Sequence, residues 1–428
     1  MSANTLELMR QEMSHIPTVR RRRLSSAGSD HRDAMTASIR NLVDSLPCRR
    51  RFPLAESTAL MTIHLHWYLP TNGDSREIVG SGDDSHLAVG PSTSRIRPPT
   101  IAYLGEIART AELLGFEAVL TPTGTWCEDA WITTAALSQT TSRLKFLVAF
   151  RPGFISPTLA AHQAATFQRI SGGRLLLNIV TGGDPVEQAR FGDHLGHDER
   201  YQRTGEFLAV LRGVGTAAAG TTFDFDGKYY NVAGARIDYG QWDPPQVFFG
   251  GASAAAEEVA AEHVDAYLAW GETPAQIAGR LDRLRARAAE HGRALQFGIR
   301  LHVISRDTSA EAWAQAERLL GAISDERIAS AQKVLARTES VGQQRMTALH
   351  NGRTSDLEIS PNLWAGYGLV RGGAGTALVG SHTEVADRIT EYHALGIDHF
   401  ILSGQPHIEE AYWFAEGAGA ILRERGLV

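Results

Sequence analysis

Arg300 and His302 stand two apart in the run FGIRLHVI at 297 to 304. In an extended strand that spacing sends both side chains to one face and Ile299, Leu301 and Val303 to the other. If the apolar set packs against neighbouring elements, a guanidinium and an imidazole project into whatever the opposite face encloses. An uncompensated buried charge costs several kcal/mol, so this guanidinium needs an anionic partner. A core carboxylate and a ligand both satisfy that requirement, and spacing alone leaves the two open.

Other residues have types and positions that suit chemistry. GGAS at 250 to 253 leads into AAAEEVAAEH, which reads as a glycine turn, a cap at Ser253 and a helix whose free N–H groups and positive end form an anion seat around Gly251 and Ser253. HDERYQRTGEF places His197 and Tyr201 four apart, on neighbouring turns; as isolated residues they read as surface packing. Cys127 lies in TGTWCEDAW, just before a helix expected near Asp129, where a helix end lowers a thiol pKa. A bare cysteine there is more often a small space-filling residue than a nucleophile. GYGLVRGGAGTALVG at 366 to 380 gathers six glycines around Arg371. It fits neither nucleotide motif: Gly373 and Gly375 are followed by Leu378 where a dinucleotide loop needs glycine, and Gly380 by Ser381 and His382 where a Walker loop needs lysine.

These residues need a scaffold. With 428 residues, 43% hydrophobic and 21% charged, the chain is long enough for one large α/β domain or two smaller ones. A net charge of -6 gives no general attraction to nucleic acid or an anionic membrane, so no such partner is expected. Cys48 and Cys127 are the only cysteines and cannot form a disulfide framework or a zinc set. No apolar run reaches the roughly 18 residues of a membrane span, so a cytoplasmic location is expected and no metal. Residues 1 to 60 carry the basic clusters RRRR at 20 to 23 and RRR at 49 to 51. A nucleic-acid arm or targeting segment is one reading. The expected one is a disordered extension or a misassigned start, because Met61 stands immediately before the first strong strand, leaving 61 to 428 as the folded domain.

Eight strands are expected: 63 to 69, 117 to 121, 144 to 150, 175 to 180, 246 to 250, 266 to 270, 297 to 304 and 399 to 403. Helical patterns such as IAYLGEIARTAELLG and AQIAGRLDRLRARAAEHG separate them, each closed by glycine. Eight β/α units in series predict a (β/α)8 TIM barrel. The surplus length predicts insertions at 73 to 100, 182 to 198, 217 to 245 and 321 to 380. The active site of such a barrel is built from residues following the strands. Those are Thr71 and Asn72, Trp126 to Asp129, Arg151, Thr181, Gly182 and Asp184, Gly250 to Ser253, Gly271 and Glu272, and Gln405 and His407.

Read together, WYLPTNGD, PTGTWCEDAW, LKFLVAFRP, QAATFQRISGGRLLLNIVTGGDP, GHDERY, FFGGAS, FGIRLHVI, EISPNLWAGYGLVRGGAGTALVG and LSGQPHIEEAY resemble the FMNH2-dependent alkanesulfonate monooxygenases, within the bacterial-luciferase-like barrel enzymes. The resemblance runs in order from about Ile63 to about Phe414. It implies a luciferase-like barrel with a mobile lid near 350 to 380. It also implies that a separate NAD(P)H-dependent FMN reductase supplies FMNH2, which with O2 desulfonates an alkanesulfonate to aldehyde and sulfite, in a homo-oligomer, a tetramer in the family. Carried onto this chain, it makes Cys127 the cysteine near the flavin, Arg300 and His302 the arginine and histidine of the substrate pocket, and Arg371 the arginine of the lid. The flavin phosphate would lie near Thr181, His197, Tyr201, Gly251 and Ser253, and Trp270, Asn72, Gln405 and His407 would line the substrate pocket. His302 would serve as base or proton donor.

Two positions depart from the family: Asn72 replaces a histidine and Gln405 a tyrosine, which bears on the substrate and the proton route. The alternatives are a same-fold monooxygenase of a sulfone or sulfinate, a deazaflavin-dependent dehydrogenase, and a non-catalytic flavin-binding barrel.

Overall fold

The computed structural model describes residues 62–78, 97–217, 220–239 and 243–428. The readings of residues 1 to 60, and of most of the insertion expected at 73 to 100, fall outside the described residues. In chain order the strands are β1 (His64–Tyr68), β2 (Ala118–Thr121), β3 (Lys145–Phe150), β4 (Leu175–Ile179), β5 (Phe223–Asp226), β6 (Asn231–Ala235), β7 (Val247–Gly250), β8 (Ala266–Trp270), β9 (Gln296–Arg306), β10 (Glu358–Ser360), β11 (Leu363–Trp364), β12 (Ala377–Ser381) and β13 (His399–Ser403).

Eight of them close a barrel. β1, β2, β3, β4, β7, β8, β9 and β13 pair in that order, all parallel, and β13 returns to β1 through the register His64 to His399. These are the eight strands expected from the sequence. Alternation within each strand divides the core in two. Tyr68, Leu120, Leu147, Leu176, Phe248, Leu268 and Ile401 fill the inside of the barrel. Trp67, Val119, Phe146, Leu177, Phe249, Ile299, Leu301 and Val303 pack outward with the helices. Each such side chain contributes about 1.5–3 kcal/mol when buried. The helices are locally specified as well. Ser156, Ser253 and Ser381 cap helices by accepting from backbone N–H groups, and Gly115 and Gly292 follow helices at φ 84 and 67, as the glycine-closed patterns predict.

The insertions hold structure that periodicity did not resolve. The segment 217 to 245 contains the antiparallel hairpin of β5 and β6. The segment 321 to 380 contains the helices Asp325–Leu335 and Val341–His350, then β10, β11 and the start of β12. β9 is the element that joins this insertion to the barrel. Its first half pairs with β8 and its second half, from His302 to Arg306, pairs with β12. The arginine and histidine of β9 therefore sit where the barrel wall passes into the insertion.

Candidate active site

Arg300 and His302 face the barrel interior, while Ile299, Leu301 and Val303 pack outward. Arg300 Nη1 donates to the Leu301 carbonyl at 2.6 Å, Nη2 donates to Ser403 Oγ at 2.8 Å, and the guanidinium lies 4.8 Å over the Tyr68 ring. No carboxylate pairs with it among the described residues. Burial pushes its pKa down to about 10. Of the two partners that spacing left open, the core carboxylate is not found among the described residues.

The hydrogen bonds of His302 determine its tautomer. Nε2 is 3.1 Å from the Ala374 carbonyl, which only accepts, so Nε2 carries the proton. Nδ1 then accepts from the Ser403 hydroxyl at 2.7 Å, and Ser403 Oγ in turn accepts from Arg300. Burial, with the nearby Arg300 charge, holds the ring well below its ordinary pKa, so it is neutral. The ring also stacks on Tyr367 at 3.9 Å. Both nitrogens are committed in this conformation, Nδ1 to Ser403 of the barrel and Nε2 to Ala374 of the insertion, so that His302 latches one to the other.

The latched segment is the glycine-rich run. Gly366–Leu369 form one turn of 3-10 helix, Gly368 N–H donates to the Gly375 carbonyl at 2.8 Å, Gly373 N–H to Gln343 Oε1 at 2.8 Å, and Gln332 Nε2 to the Leu369 carbonyl at 2.7 Å. A Cβ on Gly375 would come within 2.7 Å of Gly368 Cα, and one on Gly366 within 2.0 Å of the Trp364 ring. These glycines are required for close packing, and Gly373, at φ 81, for a turn. Arg371 is buried by this arrangement at 4% exposure, and burial pushes its pKa down to about 10 despite the opposing influence of Tyr68 and Asp74. Arg300 and Arg371 both act electrostatically on Tyr68, so two cations converge on one tyrosine at the mouth of the barrel.

The expected pocket residues surround this pair. Gln405 is buried just beyond β13, and neither its amide oxygen nor its nitrogen has a hydrogen-bond partner among the described residues. His407 lies 5.7 Å from the Tyr68 ring and its Nδ1 is 2.8 Å from Asp74 Oδ1. Trp270, half-buried at the end of β8, faces Gly342 of the insertion closely enough that a Cβ there would sit 3.1 Å from the indole. Asn72 is half-buried in the turn after β1. Cys127 corrects an expectation. The following helix Ala130–Leu137 is capped by Asp129, yet burial pushes the thiol up to about 12, the Thr71 hydroxyl opposing only in part. It is a protonated thiol at neutral pH.

The residues expected to form an anion seat lie around the start of the helix that follows β7. Tyr201 is buried with Ser253 and Thr181 near its hydroxyl, and burial raises its pKa while those two side chains oppose the rise. A Cβ on Gly251 would come within 2.5 Å of Ala256 Cβ and 3.1 Å of the Tyr201 hydroxyl, so only glycine permits this approach of backbone, helix start and phenol. His197 packs edge-on against Tyr201 at 4.9 Å. The five residues thus form one group around the N-terminus of the helix Ala254–His263, and the donors present fit a phosphate. Arg151 lies 5.7 Å from the rings of Phe154 and Phe191, which stack on each other, and binds Glu187 and Gln188 in the segment that follows β4.

Sequence reasoning missed Tyr68, Asp74, Tyr367 and Ser403. Two of these carried a signal: Tyr68 is in step with His64 and His66 on β1, and Ser403 with His399 and Ile401 on β13, both on the inward face. Asp74 and Tyr367 are placed by loops and carried none.

A closed parallel barrel with its polar groups collected beyond the C-terminal strand ends defines a (β/α)8 enzyme architecture. The chain belongs to the luciferase-like monooxygenase family, whose profile matches residues 79–399. Among solved structures it is similar to a riboflavin lyase (RcaE) solved with modified FMN and riboflavin, at 20% identity and TM-score 0.70, covering 86% of this chain and 92% of that one. It is also similar to a long-chain alkane monooxygenase (LadA), at 21% identity, TM-score 0.68 and the same coverages. DmoA from Hyphomicrobium sulfonivorans matches at 18% identity and TM-score 0.68, covering 86% of this chain and 89% of that one. At these identities the likeness establishes the fold. Among the described residues no helix is long and apolar enough to cross a membrane.

Proposed function

We propose that this chain is a reduced-flavin monooxygenase that converts an alkanesulfonate to an aldehyde and sulfite. The observation that carries this reading is Arg300: a buried guanidinium with no carboxylate partner among the described residues. A sulfonate is a permanent anion with three acceptor oxygens, and it suits the fixed charge and planar donors of arginine. Arg371 supplies the second charge from the insertion.

The group around Thr181, His197, Tyr201, Gly251 and Ser253 would hold the phosphate of FMN, and reduced FMN, when bound, supplies the oxygen-activating chemistry. A separate NAD(P)H-dependent reductase would provide it. The remaining roles belong to the chain's own residues. Arg300 and Arg371 bind and orient the anion. The packed run 366 to 376, latched by His302 and Tyr367, keeps water from the site, and its release would admit substrate. Trp270, Asn72, Gln405 and His407 shape the pocket. A sulfone or sulfinate is the second reading, favoured by Gln405, whose two unpartnered amide atoms suit a neutral or weakly charged oxygen as well as a sulfonate.

The test is sulfite release with reductase-generated FMNH2, O2 and a panel of alkanesulfonates of increasing chain length. Sulfite from at least one is expected. None from any length, with aldehyde or sulfite formed from a sulfone or sulfinate instead, would move the assignment to the second reading.

A further inference from the structure

Asp74 and His407 come from opposite ends of the chain and meet at the mouth of the barrel. Asp74 follows β1, and His407 begins the helix His407–Glu416 after β13. Both are fully buried. Asp74 Oδ1 accepts from His407 Nδ1 at 2.8 Å and from the Ser75 N–H at 2.8 Å; Oδ2 accepts from the His407 backbone N–H at 2.9 Å and from the Tyr103 hydroxyl at 2.5 Å. Burial would raise the pKa of this carboxyl, but the His407 charge and these hydrogen bonds outweigh it and hold the group below the ordinary carboxylate range. Asp74 is therefore an acceptor only, and the proton between the two residues rests on His407 Nδ1.

That leaves Nε2. It is buried and has no hydrogen-bond partner among the described residues. Leaving a buried polar atom unpaired costs about 1–3 kcal/mol, and what sets this one apart is where it lies. Its neighbours are those of the proposed substrate site: Tyr68 with Arg300 over its ring, Gln405 two residues upstream, and His302 within electrostatic reach. The titratable and charged groups around Asp74 are the neutral phenol of Tyr103, Arg97, which lies 3.9 Å from Asp74 and binds Glu409, and Arg371 from the insertion. His302 differs from His407 in having both nitrogens taken within the protein.

We propose that His407 exchanges the proton of the reaction at this site through Nε2, and that Asp74 is its positioning residue. This rests on the monooxygenase reading above. In that reaction alkanesulfonate, O2 and FMNH2 give aldehyde, sulfite, FMN and water. Of the two hydrogens on the sulfonate-bearing carbon one stays in the aldehyde and the other leaves as a proton, so that one proton is released per turnover. His407 Nε2 accepts it as the C–H bond breaks; that electron pair forms the new bond from carbon to an oxygen of O2, the C–S bond breaks with its pair on sulfite, FMNH2 supplies the two electrons that take the other oxygen to water, and His407 then passes its proton to solvent when the site opens. Asp74 keeps the opposite nitrogen protonated and stabilises the imidazolium while it exists.

Two measurements test this independently. Histidine-selective 15N NMR of the wild-type protein, assigned with His407→Gln, needs no substrate. The expected result is a proton on His407 Nδ1 at neutral pH, with His302 carrying its proton on Nε2 alone; a His407 proton found only on Nε2 overturns the proposal. The second is sulfite release across pH with reductase, O2 and the sulfonate that the wild type turns over. His407→Ala is expected to lose about 10²–10³-fold in kcat with KM changed less than about threefold, and to recover part of it with added imidazole. Asp74→Asn is expected to keep the same KM and to move the acidic limb of the kcat profile to lower pH, which a structural role would not do. Full kcat with an unchanged pH profile in both variants overturns the proposal and leaves the monooxygenase reading standing. A wild type inactive on every sulfonate overturns that reading, and the NMR result still decides the pair.

Discussion

The two ends of the barrel use the same three strands in opposite ways. At the floor, β1 supplies His64 and His66, β9 supplies Gln296 and β13 supplies His399. At the mouth, the same strands supply Tyr68, Arg300 with His302, and Ser403. The floor groups are imidazoles, neutral in His66 and His399, and a paired carboxylate that meet one another, with His66 Nδ1 left without a hydrogen-bond partner among the described residues. His399 stacks on His64 at 4.6 Å and on His66 at 5.3 Å, His66 Nε2 meets His399 Nδ1 at 3.0 Å, and His64 reaches Glu117, which also binds Lys145 at 2.7 Å. At the mouth, Arg300 has no carboxylate, and Gln405 and His407 Nε2 have no hydrogen-bond partner among the described residues. The difference between the two ends is therefore one of charge: the mouth buries a guanidinium that no carboxylate meets among the described residues, while the carboxylate near the floor, Glu117, is paired with His64 and Lys145.

The largest test of this contrast is at the mouth. Arg300→Ala should lower sulfonate turnover about 10²–10³-fold, the scale of losing one well-placed electrostatic donor, while FMNH2 affinity measured by anaerobic titration stays within about threefold. Equal losses in turnover and flavin affinity would dissolve the distinction between anion site and phosphate seat.

The next test is at the floor. Burial pushes His66 down to about 4 and lowers His399 further. A histidine whose folded pKa lies below its unfolded value of about 6.5 binds fewer protons folded than unfolded, so its stabilisation is present above that pH and is lost as pH falls toward 4. His64, raised chiefly by its hydrogen bond to Glu117, keeps its own contribution at acidic pH and loses it only as pH rises above 6.5. Thermal unfolding followed from pH 7 to pH 4 should therefore show a loss on the order of 3 kcal/mol from His66, and His66→Gln should flatten the slope. A variant as acid-sensitive as the wild type would refute the assignment.

The smallest expected effect returns to the mouth. Cys127 is held as a thiol by burial. Cys127→Ala should leave turnover within about threefold, and iodoacetamide should label the wild type slowly at pH 8. Rapid labelling would mean a thiolate that the buried environment does not predict.

The barrel was legible because each of its eight strands is an apolar run with its own period-two alternation, bounded by helical patterns of period 3.6. The same alternation assigns Arg300 and His302 to one shared face of β9, and the apolar set opposite them makes that face the inward one. The grouping of Gly251 and Ser253 at a helix start was legible because a glycine turn and a serine cap are local features; Thr181, His197 and Tyr201 were joined to them only by the family resemblance. The insertions were less legible. β10 and β11 have three and two residues, and β5 and β6 four and five, so each is too short for a period of two to stand out from the surrounding loops.

By itself, then, the sequence determined the barrel, the strand faces and the types of charge delivered to its mouth, because those follow from local periodicity and capping. Only the tertiary structure decided what each group does there. It withheld a carboxylate from Arg300, committed both nitrogens of His302 to Ser403 and Ala374, kept the Cys127 thiol protonated, and brought Asp74 across 333 residues to His407. A hydrogen bond or a desolvation depends on which atoms lie within a few ångströms, and that is set by chain closure rather than by spacing along the chain.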